Sequence, residues 1–378
     1  MQEYIDIIVN AYVGYADYLW REITFQYDYK PFWQNYFWML MLVSGFFFAV
    51  EISRPWRKNQ PKFRLDFWLD FFYMFFNFFL FSLVFYNALS DVFVNLFGDF
   101  LGIFGITNMV AIQLDKLPVF AQLFAMFLVR DFVQWWGHRT LHKMPQLWEF
   151  HKVHHSVQQM GFAAHLRYHW FENVFYRTFE YIPLAMLGFG IDDFFMVHIF
   201  TLAWGHFNHS NITVSGRVSG AVVGLILGLG ITSMIPSVDF LMGAGITVGS
   251  VLLASFALGP YMRIIFNSPE MHIWHHAHHL PKERQTGVNF GMTLAVWDYI
   301  FDTAYVPYNG RDIKLGFPGV EKFPTDFAGQ NLHGFGLTKL EKEYRHLRGF
   351  AQDELEKVKE GMVDTVEEEV GPKPKKTV

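Results

Sequence analysis

The 378-residue chain contains no cysteine. That absence removes structural disulfides, thiolate-ligated haem, Cys-ligated iron–sulfur clusters and cysteine nucleophiles together, so any metal must be held by His, Asp or Glu. Charge is also scarce: Asp, Glu, Lys and Arg supply 17% of the residues, and the net charge of −5 gives no reason to expect a nucleic-acid partner. The opening residues MQEYIDIIVN lack a basic n-region ahead of an apolar stretch, so a cleaved signal peptide is not expected. The HExxH motif of zinc hydrolases does not occur. Apolar surface is in excess. Residues of the set AVILMFWYC make up 52% of the chain before its 30 glycines are added, and aromatic residues, led by 44 Phe, reach 19%. Soluble domains have about 45–50% with glycine included, so this is the composition of a membrane protein.

The first span is predicted over 36–52. It is followed by RPWRKNQPKFR at 54–64, with five basic residues and no acidic one, which the positive-inside rule assigns to the cytoplasm. A second span, 67–89, is long enough to cross a hydrocarbon core of about 30 Å, and its Asp70 and Asn77 must face protein. The stretch 91–116 carries Asp91, Asp99 and Asp115 against Lys116, the pattern of the outer side, and reads as an interfacial helix or re-entrant turn. A third apolar stretch, 119–129, runs inward to Arg130, Arg139, Lys143 and Lys152. Two apolar hairpins follow, 173–204 hinged at Gly188-Phe189-Gly190, and the glycine-rich 216–258. The second is read chiefly as lipid-facing anchoring, with helix packing through its small residues, a tunnel wall or a homodimer contact as the alternatives. Residues 307–378 form a cytosolic extension, with a charged surface helix expected over 338–369 and a disordered tail. The expected architecture is therefore all-α: a polytopic transmembrane bundle with a cytosolic helical cap. Its organisation is an N-terminal membrane region 1–118, a central domain 119–306 and the extension.

Seventeen histidines are present, and ten fall into four short groups. His138 and His142 are an i, i+4 pair on one helical face; His151, His154 and His155 form HKVHH; His206 and His209 are an i, i+3 pair; His272, His275 and His276 form HIWHH. Each apolar hairpin returns the chain to the side it left, so all four groups lie at one face. Neutral imidazole suits Zn, Cu, Fe and Ni, and eight to ten imidazoles exceed the four to six positions around one ion, which points to two metals. Zinc hydrolysis would need a glutamate base beside the histidines. A haem or metal carrier would need isolated axial pairs. Iron adds the ability to activate O2 beside a lipid surface.

The segments HRTLH (138–142), HKVHH (151–155), HFNHSN (206–211), NSPEMHIWHH (267–276), NFG (289–291) and WDYIFDT (297–303) together resemble the fatty acid hydroxylase and sterol desaturase superfamily, integral-membrane di-iron oxygenases. The likeness runs from about Phe120 to Val306. It implies two irons in a cytosolic cap, O2 as co-substrate, a lipid substrate that is hydroxylated or desaturated, and electrons from a separate cytochrome b5-, ferredoxin- or pterin-type donor, since no HPGG-type haem segment is fused to the chain. Carried over residue by residue, it implies ligation by His138, His142, His151, His154, His155, His206, His209, His272, His275 and His276. Asp131, His169, Glu172, Asn208, Asn289 and Asp298 are the residues expected to orient those ligands. His198 is expected to be a satisfied core residue and His333 and His346 to be surface residues; His165, His278 and His279 are read as exposed cytosolic histidines, with additional polar lining of the site as the alternative. Asp302 stands where the family more usually has glycine.

Overall fold

The computed structural model describes residues 2–337 apart from 27–30, 107, 109 and 236. The chain divides into two compact units, residues 1–320 and 321–378. In the first unit the helices are α1 (Gln2–Thr24), α2 (Tyr36–Ser53), α3 (Phe67–Phe75), α4 (Asn87–Ile103), α5 (Val119–Lys143), α6 (Pro145–His155), α7 (Trp170–Met186), α8 (Ile191–His209), α9 (Gly216–Ser233), α10 (Phe240–Leu252), α11 (Met262–Ile265), α12 (Pro269–His275) and α13 (Val296–Ile300). In the second, α14 (Phe327–Leu332) is capped by the Asp326 carboxylate, which accepts from Gly329 N at 2.8 Å. Among the described residues there is no β-strand, and the protein is an all-helical, multi-pass membrane protein. The predicted C-terminal helix and tail lie outside the described residues.

Four helices are long and apolar enough to cross a bilayer: Tyr36–Ser53, Phe67–Ile103, Gly216–Ser233 and Phe240–Ala257. Local chemistry starts them. Asn35 caps α2 by accepting from Trp38 N at 3.0 Å, and Asp239 caps α10 by accepting from Met242 N at 2.8 Å. The second span differs from its expectation. It does not stop near residue 89 for an interfacial element but continues from α3 into α4 as one 37-residue helix. At 1.5 Å per residue it is about 55 Å long and outruns the hydrocarbon core. Asp91 is a polar residue on a helix that nothing breaks, so the end of the apolar run is not the end of the helix.

Between α3 and α4 the helix widens into two π-helical stretches, Phe76–Leu80 and Ser82–Tyr86. Carbonyls there take side-chain donors: Asn77 O accepts from Asn173 Nδ2 at 3.0 Å and Phe78 O from the Tyr15 hydroxyl at 3.3 Å. Asp70 and Asn77 are fully buried against protein, as their depth required. In the glycine-rich hairpin, Gly216, Gly220, Gly224 and Gly228, spaced four apart along α9, lie where a Cβ would collide with the backbone of Gly259, Ala254, Ser250 and Thr247, so α9 and α10 meet at backbone contact. Phe240 and Leu241, at the start of α10, are 85% and 79% exposed.

Deeper in the bundle, α5, α7, α8 and α2 are joined by a buried polar network. Arg130 pairs with Glu180 at 3.1 Å and bonds Thr201 Oγ1; it also meets His198 Nδ1 at 3.1 Å, whose Nε2 lies 2.8 Å from the Tyr36 hydroxyl. Gln134 Nε2 donates to the other Glu180 oxygen at 2.6 Å.

Candidate metal centre

Pro145 opens α6 directly after α5 ends, and the single intervening residue, Met144, turns α6 back along α5. His138 and His142, in the last turns of α5, thereby face His151, His154 and His155 on α6. Ser268 caps α12 by accepting from Met271 N, and Pro269 occupies its first turn; this short helix carries His272 and His275, with His276 at its end. His209 is the last residue of α8.

The rings segregate into two groups: His138, His142, His151, His155 and His275 in one, and His154, His209, His272 and His276 in the other, with the ligand atoms of each group within 4.8 Å of one another. The two HxxHH motifs explain the division. In each, the i, i+4 pair joins one group and the i+3 histidine joins the other, so the adjacent rings His154/His155 and His275/His276 split between the groups. The groups abut, with the His155 and His276 rings stacked at 4.4 Å.

Within each group nitrogen faces nitrogen. Nε2 of His138 lies 3.2 Å from Nε2 of His151, and His155 Nε2 lies 3.0 Å from His275 Nε2. In the second group His209 Nε2 is 3.3 Å from His154 Nε2 and 3.0 Å from His272 Nε2, which is 3.2 Å from His276 Nε2. Two imidazoles bound to one ion at about 2.1 Å place their nitrogens about 3.0 Å apart at a right angle and about 3.4 Å apart at the tetrahedral angle. The observed spacings of 3.0 to 3.3 Å fall in the range that shared ligation would give.

The opposite ring nitrogens fix the tautomer. His138 Nδ1 donates to Phe290 O at 2.9 Å, His154 Nδ1 to Arg167 O at 3.1 Å, His209 Nδ1 to Gly205 O at 2.8 Å, and His275 Nδ1 to Val288 O at 2.8 Å. A carbonyl only accepts, so Nδ1 carries the proton and the Nε2 lone pair is left for a metal. His142 Nε2 is sealed from solvent with no hydrogen-bond partner, an orphan that a metal ion would satisfy. Burial also holds the rings neutral, as ligation requires: it lowers His138 to about 3 and His154 to about 4, and pushes His142, His155, His275 and His276 well below the usual histidine value. Because folding favours the neutral form, the unfolded chain takes up protons first. The metal-free protein should therefore be fully stabilised by these groups above about pH 6.5 and lose that stability as the pH falls toward 4 and then 3. Thermal midpoints of chelator-treated protein at pH 7.5 and pH 5 test this; equal midpoints would contradict it.

Nine of the ten expected ligands thus lie in the two groups. His206 does not. One turn before His209 on α8, it places Nε2 3.0 Å from Ser44 Oγ and Nδ1 3.0 Å from His165 Nδ1, so both nitrogens are engaged away from the groups. Among the residues expected to orient ligands, Glu172 touches one directly: its Oε1 accepts from His151 Nδ1 at 2.9 Å. Asp298 acts at one remove, accepting from Phe290 N and Gly291 N at 2.8 Å each, from Trp135 Nε1 at 3.0 Å and from Thr303 Oγ1 at 2.6 Å. Asn289 holds the same loop through Met271 O and Tyr305 O, both at 2.8 Å, and Asn208 donates to Met292 O at 2.7 Å. Asp131, expected to orient a ligand from the helical face it shares with His138, instead accepts from Thr293 N, Leu294 N and Trp297 Nε1. His169 is the N-cap of α7, accepting from Phe171 N at 3.0 Å.

Three of the histidines expected to be exposed are not. His165 packs on Gly205 and His206 and its ring lies 5.1 Å from that of His209, as the polar-lining alternative has it; His278 is buried, and in the second unit His333 is buried against the Phe323 ring at 4.7 Å. His279 is exposed, His198 is the engaged core residue expected, and His346 lies outside the described residues. Asp302 adopts φ +52°, a left-handed conformation that glycine takes without cost. The carbonyl acceptors were not foreseeable, because every residue has one. The Arg64/Arg167/Asp66/Asp70 ion cluster had a signal that went unused: Asp70 in an apolar span required a cation nearby.

A model of the fatty acid hydroxylase family matches residues 123–230, a stretch that includes the first three histidine groups but not His272–His276. An ornithine lipid hydroxylase, OlsE, from Rhizobium tropici is 23% identical over 205 residues, which cover 54% of this chain. The match spans about half of that relative, 48% of its length. No solved structure matches the chain.

Proposed function

We propose, from the fatty acid hydroxylase model that matches residues 123–230 and the likeness to a lipid hydroxylase, that the chain is a lipid oxygenase of that superfamily, one that uses two iron ions, O2 and electrons from a separate redox partner to hydroxylate a C–H bond of a membrane lipid. The observation that carries this reading is the facing of Nε2 atoms in two adjoining groups, five histidines and four. Neutral ligands leave a pair of bound irons strongly cationic, and the chemistry such a pair supplies is the reduction of O2 and the attack on an unactivated C–H bond. In balance, one oxygen atom enters the substrate and the other leaves as water, with two electrons and two protons from outside.

The chain's own residues prepare that site. Backbone carbonyls hold the Nδ1 protons of His138, His154, His209 and His275, and Glu172 that of His151, so each of these five rings presents one lone pair in one orientation. Burial of eight of the nine rings excludes bulk water, which would otherwise intercept a reactive oxidant. The basic residues on and beside α5 and α6, among them Arg139, Lys143 and Lys152, support a cytoplasmic position for the centre. Glu172 also weighs against a zinc hydrolase: it lies on the Nδ1 side of His151, turned away from the Nε2 atoms, where it cannot serve as base to a metal-bound water.

Metal analysis of the purified protein separates the readings. About two irons per chain supports the oxygenase, zinc would favour a hydrolase, and a Soret band a haem carrier. Comparison of lipid extracts from cells with and without the gene then decides between gain of one oxygen atom and loss of two hydrogens. The name of the Rhizobium relative makes an amino-acid-containing lipid the first substrate to assay; an unchanged lipid profile in an iron-loaded preparation supplied with a donor would overturn the proposal.

A further inference from the structure

The two histidine groups are alike in ligand type but differ in what holds them. In the five-histidine group, the carbonyls that fix His138 and His275 both belong to one loop, at Phe290 and Val288. That loop is shaped by the buried Asp298 carboxylate, whose four donors include the peptide N–H groups of Phe290 and Gly291. Asn289, at φ +54°, adds two more bonds from its side-chain amide. In the four-histidine group, the carbonyl that fixes His154 is Arg167 O, in the connection before α7. This connection is fastened to the membrane helix that starts with α3. Asn77 Nδ2 donates to Leu166 O and Tyr168 O at 3.0 Å each, and the Arg167 guanidinium reaches Asp66 at 3.0 Å and Asp70 at 3.1 Å. The remaining Asp70 oxygen takes Arg64 at 2.5 Å. The bonds named for one anchor are not used by the other, but Asn267 lies between the groups: its Nδ2 donates to Gly291 O at 2.5 Å and is 3.4 Å from His272 Nδ1.

We propose that Asp298 and the Arg167/Asp70 pair are positioning residues that act on different metals: Asp298, through the Phe290 and Val288 carbonyls, secures the ion of the five-histidine group, and Asp70, through Arg167, secures the ion of the four-histidine group. Each substitution then weakens its own position more than the other, and the four-histidine ion is the one tied through Arg167 and Asn77 to the helix that starts with α3. The physical basis is the tautomer. If an acceptor carbonyl swings away, Nδ1–H is left unpaired in a buried site and the ring loses the orientation that aims Nε2; loss of such partners lowers metal affinity about 10- to 100-fold. An asparagine at 298 presents an N–H to donors that need an acceptor, so the loop must move.

The inference rests on the two-metal reading above, and metal stoichiometry in the full-length, detergent-purified protein distinguishes the failure of either. If the unsubstituted protein binds no metal, the two-metal reading fails. If it binds two, Asp298→Asn and Asp70→Asn are each expected to retain one, and to retain different ones. Adding His138→Ala and His142→Ala together, which leaves the five-histidine group three rings, to Asp298→Asn should remove no further metal, whereas adding His276→Ala should remove the remaining ion; with Asp70→Asn the two outcomes exchange. Thr303→Val, which deletes the 2.6 Å bond to Asp298 while keeping the carboxylate, should weaken only the five-histidine ion and covers the case in which Asp298→Asn does not fold. Parallel loss of both metals in each variant, or full retention in both Asp298→Asn and Thr303→Val, would overturn the proposal.

Discussion

Replacing His154 with alanine should abolish product formation and remove one of two bound metals, while leaving a folded protein. His154 Nε2 is 3.3 Å from His209 Nε2 in a group of only four rings, so its loss leaves three ligands and no spare imidazole. The Arg167 carbonyl also loses its donor and remains buried, at a cost of about 1–3 kcal/mol. His206→Ala is the matched control, because it lies on the neighbouring element, is equally buried and belongs to neither group. It should keep both metals. The two variants are compared by metal content, size-exclusion profile and turnover on lipid extract. Equal metal loss in both would mean that the division into five and four is wrong, and retained turnover in His154→Ala would remove the centre from catalysis.

Why nine of the ten expected histidines meet in the two groups and the tenth does not follows from helix geometry. HxxxH and HxxHH spacings place rings on one face of one helix, and that much is periodicity. Whether a face looks into a metal site depends on its partner. His206 and His209 share a face of α8, yet the three-residue rise separates a ring among ligands from a ring beside Ser44 on α2. The orienting residues show the same limit. Glu172 is found by chemistry, since a buried carboxylate near histidines has few alternatives, but Asp131 at seven residues before His138 satisfies the same helical argument and instead fastens residues 293–297. Carbonyl acceptors carry no sequence signature at all. In the fold, apolar runs located the spans, while the continuation of α3 into α4 past Asp91 was hidden because hydropathy reports where lipid ends and not where a helix does.

The largest stability effect is expected from Arg130→Met. The Arg130 and Glu180 side chains are 3% and 7% exposed and 3.1 Å apart, and the arginine also serves Thr201 and His198, so removing it strands a carboxylate among α5, α7 and α8. Breaking one side of a buried pair costs about 3–5 kcal/mol, whereas replacing both members by neutral groups is often close to neutral. The double variant Arg130→Met/Glu180→Gln should therefore recover much of the thermal midpoint lost by the single one, since a glutamine can keep its bond to Gln134 without the charge. Arg130 lies two helical turns before His138 and touches none of the nine ligands, so the metal content of whatever fraction remains folded should stay at two per chain. Recovery of the midpoint at constant metal content would assign the network to holding the bundle together. A double variant as unstable as the single one would show that the contacts to Thr201 and His198, and not the charge on Glu180, are what α5 requires.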